Sequence, residues 1–441
     1  MSAQHRPWRQ SYEAGVPGDV EVPDRSFDAL FAEAAAAAPS QPALSFVNRV
    51  FSYAELDSLI ARVAAALQRD GIGPGERVWI DLPPCAHWWM AVLGTLRAGG
   101  VPVLAPEPGA PSPAGVAGVL GPLRASIVAR GRAPGVAAAE GVVVAVDPGS
   151  VLPRSLRVAR AVGRRFGWVA PDRSDGQAGG VAWDVWLGRG SEPRPATRPT
   201  TSPALCLTAG APRPVPAVTF THRHLVAGAT QLRAWLPDAV PAADTWLVLA
   251  PLAGGLGAVA ALGAAALLQA RVVVVPRATF ENVRDVVRYL RPAYVVSTGD
   301  TVAALTQDPR LAQSDMRGVR VWLTGDPLDP EVASAFHDAT GLAPCTGLGG
   351  PEVAGLVLCH PANAPVRQGC LGLPLPSVDI RICGGRAPTP AAGPGAARAD
   401  AAGGGSGRLE VAGPNVAADG WLPMGADVAV DADGFVCLAS V

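Results

Sequence analysis

Through the first hundred residues the apolar positions alternate between two periods. Leu56, Leu59, Ile60, Val63, Ala66 and Leu67 recur at helical spacing, which predicts an amphipathic helix opening at a Ser52 cap. Upstream, Ser26 heads an Ala-rich helix ending before Pro39, and Ala43–Val47 with Val50–Phe51 reads as a hairpin. Downstream, "GIGPGERVWIDL" turns on glycine into a buried strand, Trp88 to Leu96 predicts a helix, and "GGVPVLAP" the next strand. Strand and helix in alternation favour an open, largely parallel sheet with helices on its faces.

From Pro134 to Pro203 the pattern weakens into Arg-, Gly- and Pro-rich sequence, and residues 188–203 read as a flexible lead-in. A second unit follows, with "TWLVLAPL", "ARVVVVP", "AYVVST" and "VRVWLTG" as strands and Asn282 to Leu290 as a helix. Beyond Gly369 come the short strands "VDIRIC", "GRLEVAG" and "GFVCLAS", with a low-complexity excursion between the first two. The expected fold class is therefore α/β: an N-terminal extension (1–25), two α/β subdomains with mainly parallel sheets (26–200, ending in a flexible linker, and 201–368), and a small β-barrel-like subdomain (369–441). Leu247 to Leu268 is uncharged and long enough for a bilayer, but Pro251 and its Gly/Ala content make it a buried core segment.

A net charge of −1 without like-charge blocks gives no reason to expect nucleic acid or an anionic membrane as partner. All 36 basic residues are arginine, and without lysine the chain can form no Schiff base. Seven single cysteines with no CxxC pair point to a reducing, cytoplasmic compartment and away from structural zinc.

The stretch "CLTAGAPRPVPAVTFTHRHL" (Cys206 to Leu225) has the outline of a phosphate loop between a strand and a helix. Such a loop needs glycines for close backbone approach and usually a lysine. This one offers one glycine, three prolines and no lysine. Together with "FSYAELDSLIARVAAALQRDGIGPGERVWIDLPPCAHWWMAVLGTLRAGGVPVLAPEPGAP", "VRVWLTGDPLDPEVASAFHDATG", "GCLGLPLPSVDIRI" and "GRLEVAGP", it resembles the large N-terminal domain of AMP-forming acyl-CoA synthetases and adenylation enzymes, luciferases included, from about Phe27 to Val441.

That resemblance implies activation of a carboxylic acid by ATP, followed by capture of the acyl group by a thiol. Position by position it also implies a degenerate member. In the phosphate loop Thr208 and Gly210 match, Ala211 and Pro212 replace threonines, Arg213 and Ala217 replace glycines, and Pro216 stands at the lysine. The adenine-site phrase survives partly as Thr324, Gly325, Asp326, Pro327 and Leu328. In "LGGPE", Leu348 replaces the adenine-stacking aromatic ahead of Gly349, Pro351 replaces a threonine, and Glu352 keeps the position that helps hold Mg²⁺. Ala426 occupies the place of the ribose-gripping aspartate. The chain stops at Ser440-Val441, where the family's hinge leads into a C-terminal catalytic domain carrying a second lysine, so that domain is expected to be absent.

Glu352 is the one metal candidate, set against an ordinary solvated carboxylate, and Arg213 is read as an exposed loop residue rather than a lysine substitute. His222 and His224 are read as structural residues of a helix capped by Thr221. Pro251, Gly254, Gly255 and Leu256 fall where the family gates its acyl tunnel, and suit either an enlarged pocket or close core packing. The expectation is a protein noncatalytic on its own, needing no cofactor, that binds an acyl ligand or a partner such as a carrier protein or a related synthetase. Two alternatives stand beside it: an adenylating ligase using ATP, Mg²⁺ and a C-terminal domain supplied in trans, and ATP-independent acyl binding or transfer.

Overall fold

The computed structural model describes residues 6–105, 113–129, 141–152, 155, 180–189, 194, 199–208, 217–386 and 406–439. Local chemistry sets the early elements. Ser52 caps the helix Tyr53–Arg69, its Oγ accepting from Glu55 N at 3.1 Å, and the helix buries Leu56, Ile60, Val63 and Leu67. The Ala-rich helix is Phe27–Ala37, and the hairpin is β1 (Pro42–Phe46) with β2 (Arg49–Ser52).

The first sheet has seven strands. They are β3 (Arg77–Asp81), β4 (Val101–Leu104), β5 (Leu123–Ala129), β6 (Val142–Val146), β7 (Val181–Ala182), β8 (Pro203–Leu207) and β9 (Val218–Thr221), in the order β7-β6-β5-β3-β4-β8-β9. All its pairs are parallel except β8 with β9. β6 lies inside the stretch whose pattern was too weak to read, because the flanking Arg, Gly and Pro mask its short "VVVAV" run.

The second sheet is built on β10 (Thr245–Val248), β11 (Arg271–Val274), β12 (Tyr294–Ser297), β13 (Val321–Thr324) and β14 (Cys345–Leu348). Its order β14-β13-β12-β10-β11-β1-β2 is parallel up to the β1–β2 hairpin. The sheets thus interleave along the chain: β1 and β2 join the second sheet and β8 and β9 the first, so position 200 divides the sequence but not the sheets. From β14 an antiparallel extension runs through β15 (Leu358–Cys359), β16 (Cys370–Pro374), β20 (Val436–Leu438), β19 (Leu422–Val430), β18 (Ser406–Ala412) and β17 (Asp379–Arg386). Among the described residues β17 pairs as a strand with β18 alone.

Residues 247–268 comprise the end of β10, a loop and a buried helical run over Gly255–Leu267 whose centre, Val259–Ala264, has π-helical geometry. Among the described residues no helix is long and apolar enough to cross a membrane.

The N-terminal extension is packed against the far end of the chain. Trp8 is buried against Gly434, Arg6 pairs with Asp379, Tyr12 Oη donates to Pro374 O at 2.6 Å, and Ser11 Oγ donates to Asp433 O at 2.6 Å. The cysteine reading needs a correction: Cys370 and Cys437, 67 residues apart, sit opposite each other on β16 and β20 and form a disulfide. Sequence spacing conceals a pair made by long-range strand alignment, while Cys85, Cys206, Cys345, Cys359 and Cys383 are free.

The helices His222–Trp235 and Gly255–Leu267 pack closely. A Cβ at Gly263 would come within 2.6 Å of Ala229 Cβ, and one at Gly228 within 2.0 Å of Ala354 O. Gly228→Ala is therefore expected to destabilise by about 2 kcal/mol or more, since the obstacle is backbone. Gly73→Ala meets nothing within 4 Å and is expected to be neutral or slightly stabilising; urea denaturation of both variants checks the contrast. A second expectation concerns His87, fully buried with Ser150 Oγ 3.1 Å from its Nε2 and pushed by burial down to about 4. The unfolded chain titrates this ring near 6.5, so it takes up protons first as pH falls. Stability contributed by the neutral ring is complete above pH ~6.5 and is lost as pH drops toward ~4, by about 3 kcal/mol in all. His87→Gln is expected to flatten the slope of unfolding free energy between pH 6.5 and 5.

Candidate functional site

A cavity of about 430 Å³ opens where parallel strands of both sheets end. Open α/β sheets place ligand crevices outside the carboxyl ends of their strands, and 430 Å³ lies within the usual range for a small-molecule site. Leu207 and Thr208 come from the end of β8, Ser297 and Thr298 from the end of β12, and Gly325 and Asp326 from the end of β13. Gly349 and Gly350 continue β14, and the loop after β10 with the first turn of the helix Gly255–Leu267 forms the facing wall.

Each polar group is held by its strand end. Thr208 Oγ1 donates to Leu104 O at 2.9 Å, tying β8 to β4. Thr324 Oγ1 donates to Asp326 O at 2.9 Å, while the Asp326 carboxylate accepts from Gly299 N at 3.2 Å and bridges β13 to β12. Ser297 Oγ accepts from Trp322 Nε1 at 2.9 Å, and Thr298 caps the helix Gly299–Thr306 by accepting from Thr301 N at 3.2 Å. Asp326 is the one ionisable side chain in the described lining.

Of the residues singled out in the sequence, the cavity brings together Thr208, Pro251, Gly254, Gly255, Leu256, Gly325, Asp326, Gly349 and Pro351. Thr324, Pro327, Leu348, Glu352 and Ala426 are not in its lining. Gly210, Arg213 and Pro216 lie outside the described residues. Thr324 is buried beneath the site and Leu348 packs on the core. Glu352 is half-buried and its carbonyl accepts from Ala417 N, while among the described residues no group of three acidic, His or Cys side chains is arranged to hold a metal. Reading the sequence missed Ser297 and Thr298; their signal was a strand running into a Ser-Thr-Gly helix start.

His222 and His224 are both used in structure. His222 Nδ1 accepts from Phe27 N at 3.0 Å. His224 closes a reciprocal cap, its Nδ1 accepting from Thr221 N and its own N donating to Thr221 Oγ1, both at 3.2 Å. Burial pushes the His224 ring down and keeps it the acceptor this cap needs.

Burial alternates along β19 around Ala426. Met424 and Ala426 are half-buried and pack on the core side, with Met424 Cε against Gly350, whereas Gly425 and Asp427 are exposed. β19 carries a bulge here, with Gly425 at φ 71° between the pairings Arg408–Asp427 and Glu410–Pro423, and Asp427 lies on the exposed side of it.

The AMP-binding enzyme family model matches residues 31–419. A long-chain-fatty-acid–CoA ligase from Yersinia pestis is 25% identical over 97% of this chain and 79% of its own length. A salicyl-AMP ligase / salicyl-S-ArCP synthetase from Mycobacterium tuberculosis is 38% identical, but over only 18% of this chain and 15% of its own length. Among solved structures, a benzoate CoA ligase from Burkholderia xenovorans LB400 superposes with a TM-score of 0.74 at 19% identity, over 94% of this chain and 80% of that one. The N-terminal domain of FACL13 from Mycobacterium tuberculosis gives 0.71 at 17%, over 94% and 99%.

The geometry also separates the two uses proposed for the glycines of "PLAGGLGA". A Cβ at Gly255 would stand 2.1 Å from Val353 O and one at Gly257 2.1 Å from Pro251 O; at Gly254 the nearest atom is Pro251 O at 3.2 Å. Gly255 and Gly257 are there for close backbone contact. Gly255→Ala is expected to destabilise by about 2 kcal/mol or more and Gly254→Ala by less than ~1 kcal/mol, as read from guanidinium denaturation midpoints.

Proposed function

We propose that this chain, which belongs to the AMP-binding enzyme family, is an acyl-CoA-ligase-like protein that holds an acyl group in the cavity and forms no acyl-adenylate by itself. The observation that carries this reading is the burial along β19: apolar Ala426 stands on the core side, and the nearest carboxylate, Asp427, is exposed beyond the Gly425 bulge.

The described lining suits an acyl group and does not suit a triphosphate. It is mostly aliphatic and glycine, contains no arginine or histidine, and sets the Asp326 carboxylate at the wall. Phosphoryl and adenylyl transfer rest on positive groups or backbone donors placed where negative charge develops. Here Thr208 Oγ1 is spent on Leu104 O, Pro351 has no N–H to offer, and no lysine exists in the chain. What these residues do is bind: the aliphatic and glycine wall excludes water from an acyl chain.

The test is pyrophosphate exchange with a panel of aliphatic and aromatic carboxylic acids, with and without a separately expressed C-terminal domain of a related ligase. The expected result is background exchange in both arms, a loss of at least ~10³-fold against an intact ligase, which is about 4 kcal/mol of barrier, together with binding of acyl ligands by calorimetry. Exchange by the chain alone overturns the reading; exchange only with the added domain replaces it with an adenylating enzyme completed in trans.

A further inference from the structure

A second cavity, about 700 Å³, lies at the opposite end of the second sheet from the acyl site. Its walls are the last turn of the helix Phe280–Leu290, which leads into β12, and the segment 313–318, which leads into β13. It therefore sits at the amino ends of the strands whose carboxyl ends carry Ser297, Thr298, Gly325 and Asp326. A four-residue strand spans roughly 13 Å, so the two sites share no residue.

Four arginines line this groove: Arg284, Arg288, Arg291 and Arg317. Arg284 pairs with its neighbour Asp285 at 2.7 Å, and Arg317 with Asp315 at 3.1 Å. Arg288 and Arg291 have no carboxylate at ion-pair distance among the described residues, and both are exposed. The groove thus carries a net charge of two positives. Tyr289, 70% exposed, stands beside them with the Arg288 guanidinium 5.5 Å from its ring centroid. Arg291 occupies the helix C-cap at φ 44°, where glycine is the usual residue. One cation in the last turn complements a helix terminus; a pocket of this size with two unpaired guanidiniums exceeds that need.

We propose that this groove binds a phosphate-bearing ligand. Guanidinium presents paired N–H donors in a plane that matches the oxygens of a phosphate, two unpaired guanidiniums balance a dianion, and the exposed tyrosine offers a ring for an adjoining apolar or aromatic group. This site neither rests on the acyl-binding reading nor supports it.

The probe is inorganic pyrophosphate, titrated calorimetrically into the full chain, with citrate as a carboxylate control. Arg288→Ala with Arg291→Gly is expected to weaken pyrophosphate binding at least tenfold without lowering the thermal midpoint, because glycine suits the left-handed cap. Asp326→Asn is expected to leave binding unchanged, since that residue lines the other site. Sedimentation with phosphatidate vesicles, against phosphatidylcholine alone, separates the sources: arginine-dependent sedimentation identifies a lipid headgroup, and its absence alongside pyrophosphate binding identifies a soluble phosphate ester. Equal pyrophosphate binding by the double variant, a strengthened response in Asp326→Asn, or citrate binding as tight as pyrophosphate overturns the proposal.

Discussion

The site depends on backbone approaches that leave no room for a β-carbon. The loop through Val353 and Ala354 is gripped from two sides, by Gly228 of the helix His222–Trp235 and by Gly255 at the start of the helix Gly255–Leu267. The same loop carries Gly349, Gly350 and Gly355, which close the cavity behind the carboxyl ends of β12 and β13. Asn415 fixes it from the antiparallel extension, its side-chain amide donating to Leu356 O at 2.9 Å while its carbonyl accepts from Ala354 N. Helix packing, cavity shape and attachment of the last strands are therefore a single mechanical problem. Such backbone contact cannot relax by changing a rotamer, so it fixes geometry more firmly than side-chain packing does.

This seam is made of backbone contacts and does not depend on the polar groups that line the cavity. Around it the apolar side chains of Leu348 and Met424 pack on the core and add to it. On either side of residues 209–216 the chain does structural work, with Thr208 bonded to Leu104 and Thr221 capping a helix through His224.

Much of this was legible in the sequence wherever a local rule sufficed. The helix from Tyr53, the hairpin of β1 and β2, and the strands β10 to β13 announce themselves through period and caps. Pro251, Gly254, Gly255 and Leu256 could be placed at the wall of a site by their phrase, yet whether the glycines make space or remove it depends on where Val353 O lies, which is a long-range fact. The assignment of β1 and β2 to the second sheet, the Cys370–Cys437 bond and the groove between the helix Phe280–Leu290 and residues 313–318 are all products of topology. No window of residues contains them. Ser297 and Thr298 were overlooked for a related reason: small hydroxyl residues after a strand are common, and only the converging ends of β8, β12 and β13 give these two a role.

The docking of Trp8 on Gly434 has a consequence for biosynthesis. The indole is buried against a residue made more than four hundred peptide bonds later, and Arg6 and Tyr12 wait for Asp379 and Pro374. At ribosomal speeds of roughly 5–20 residues per second, Arg6, Trp8 and Tyr12 remain without these partners for about 20 to 90 s. A tryptophan next to two arginines is then a sticky, cationic segment of the growing chain, open to chaperones until β16 to β20 emerge and retire it.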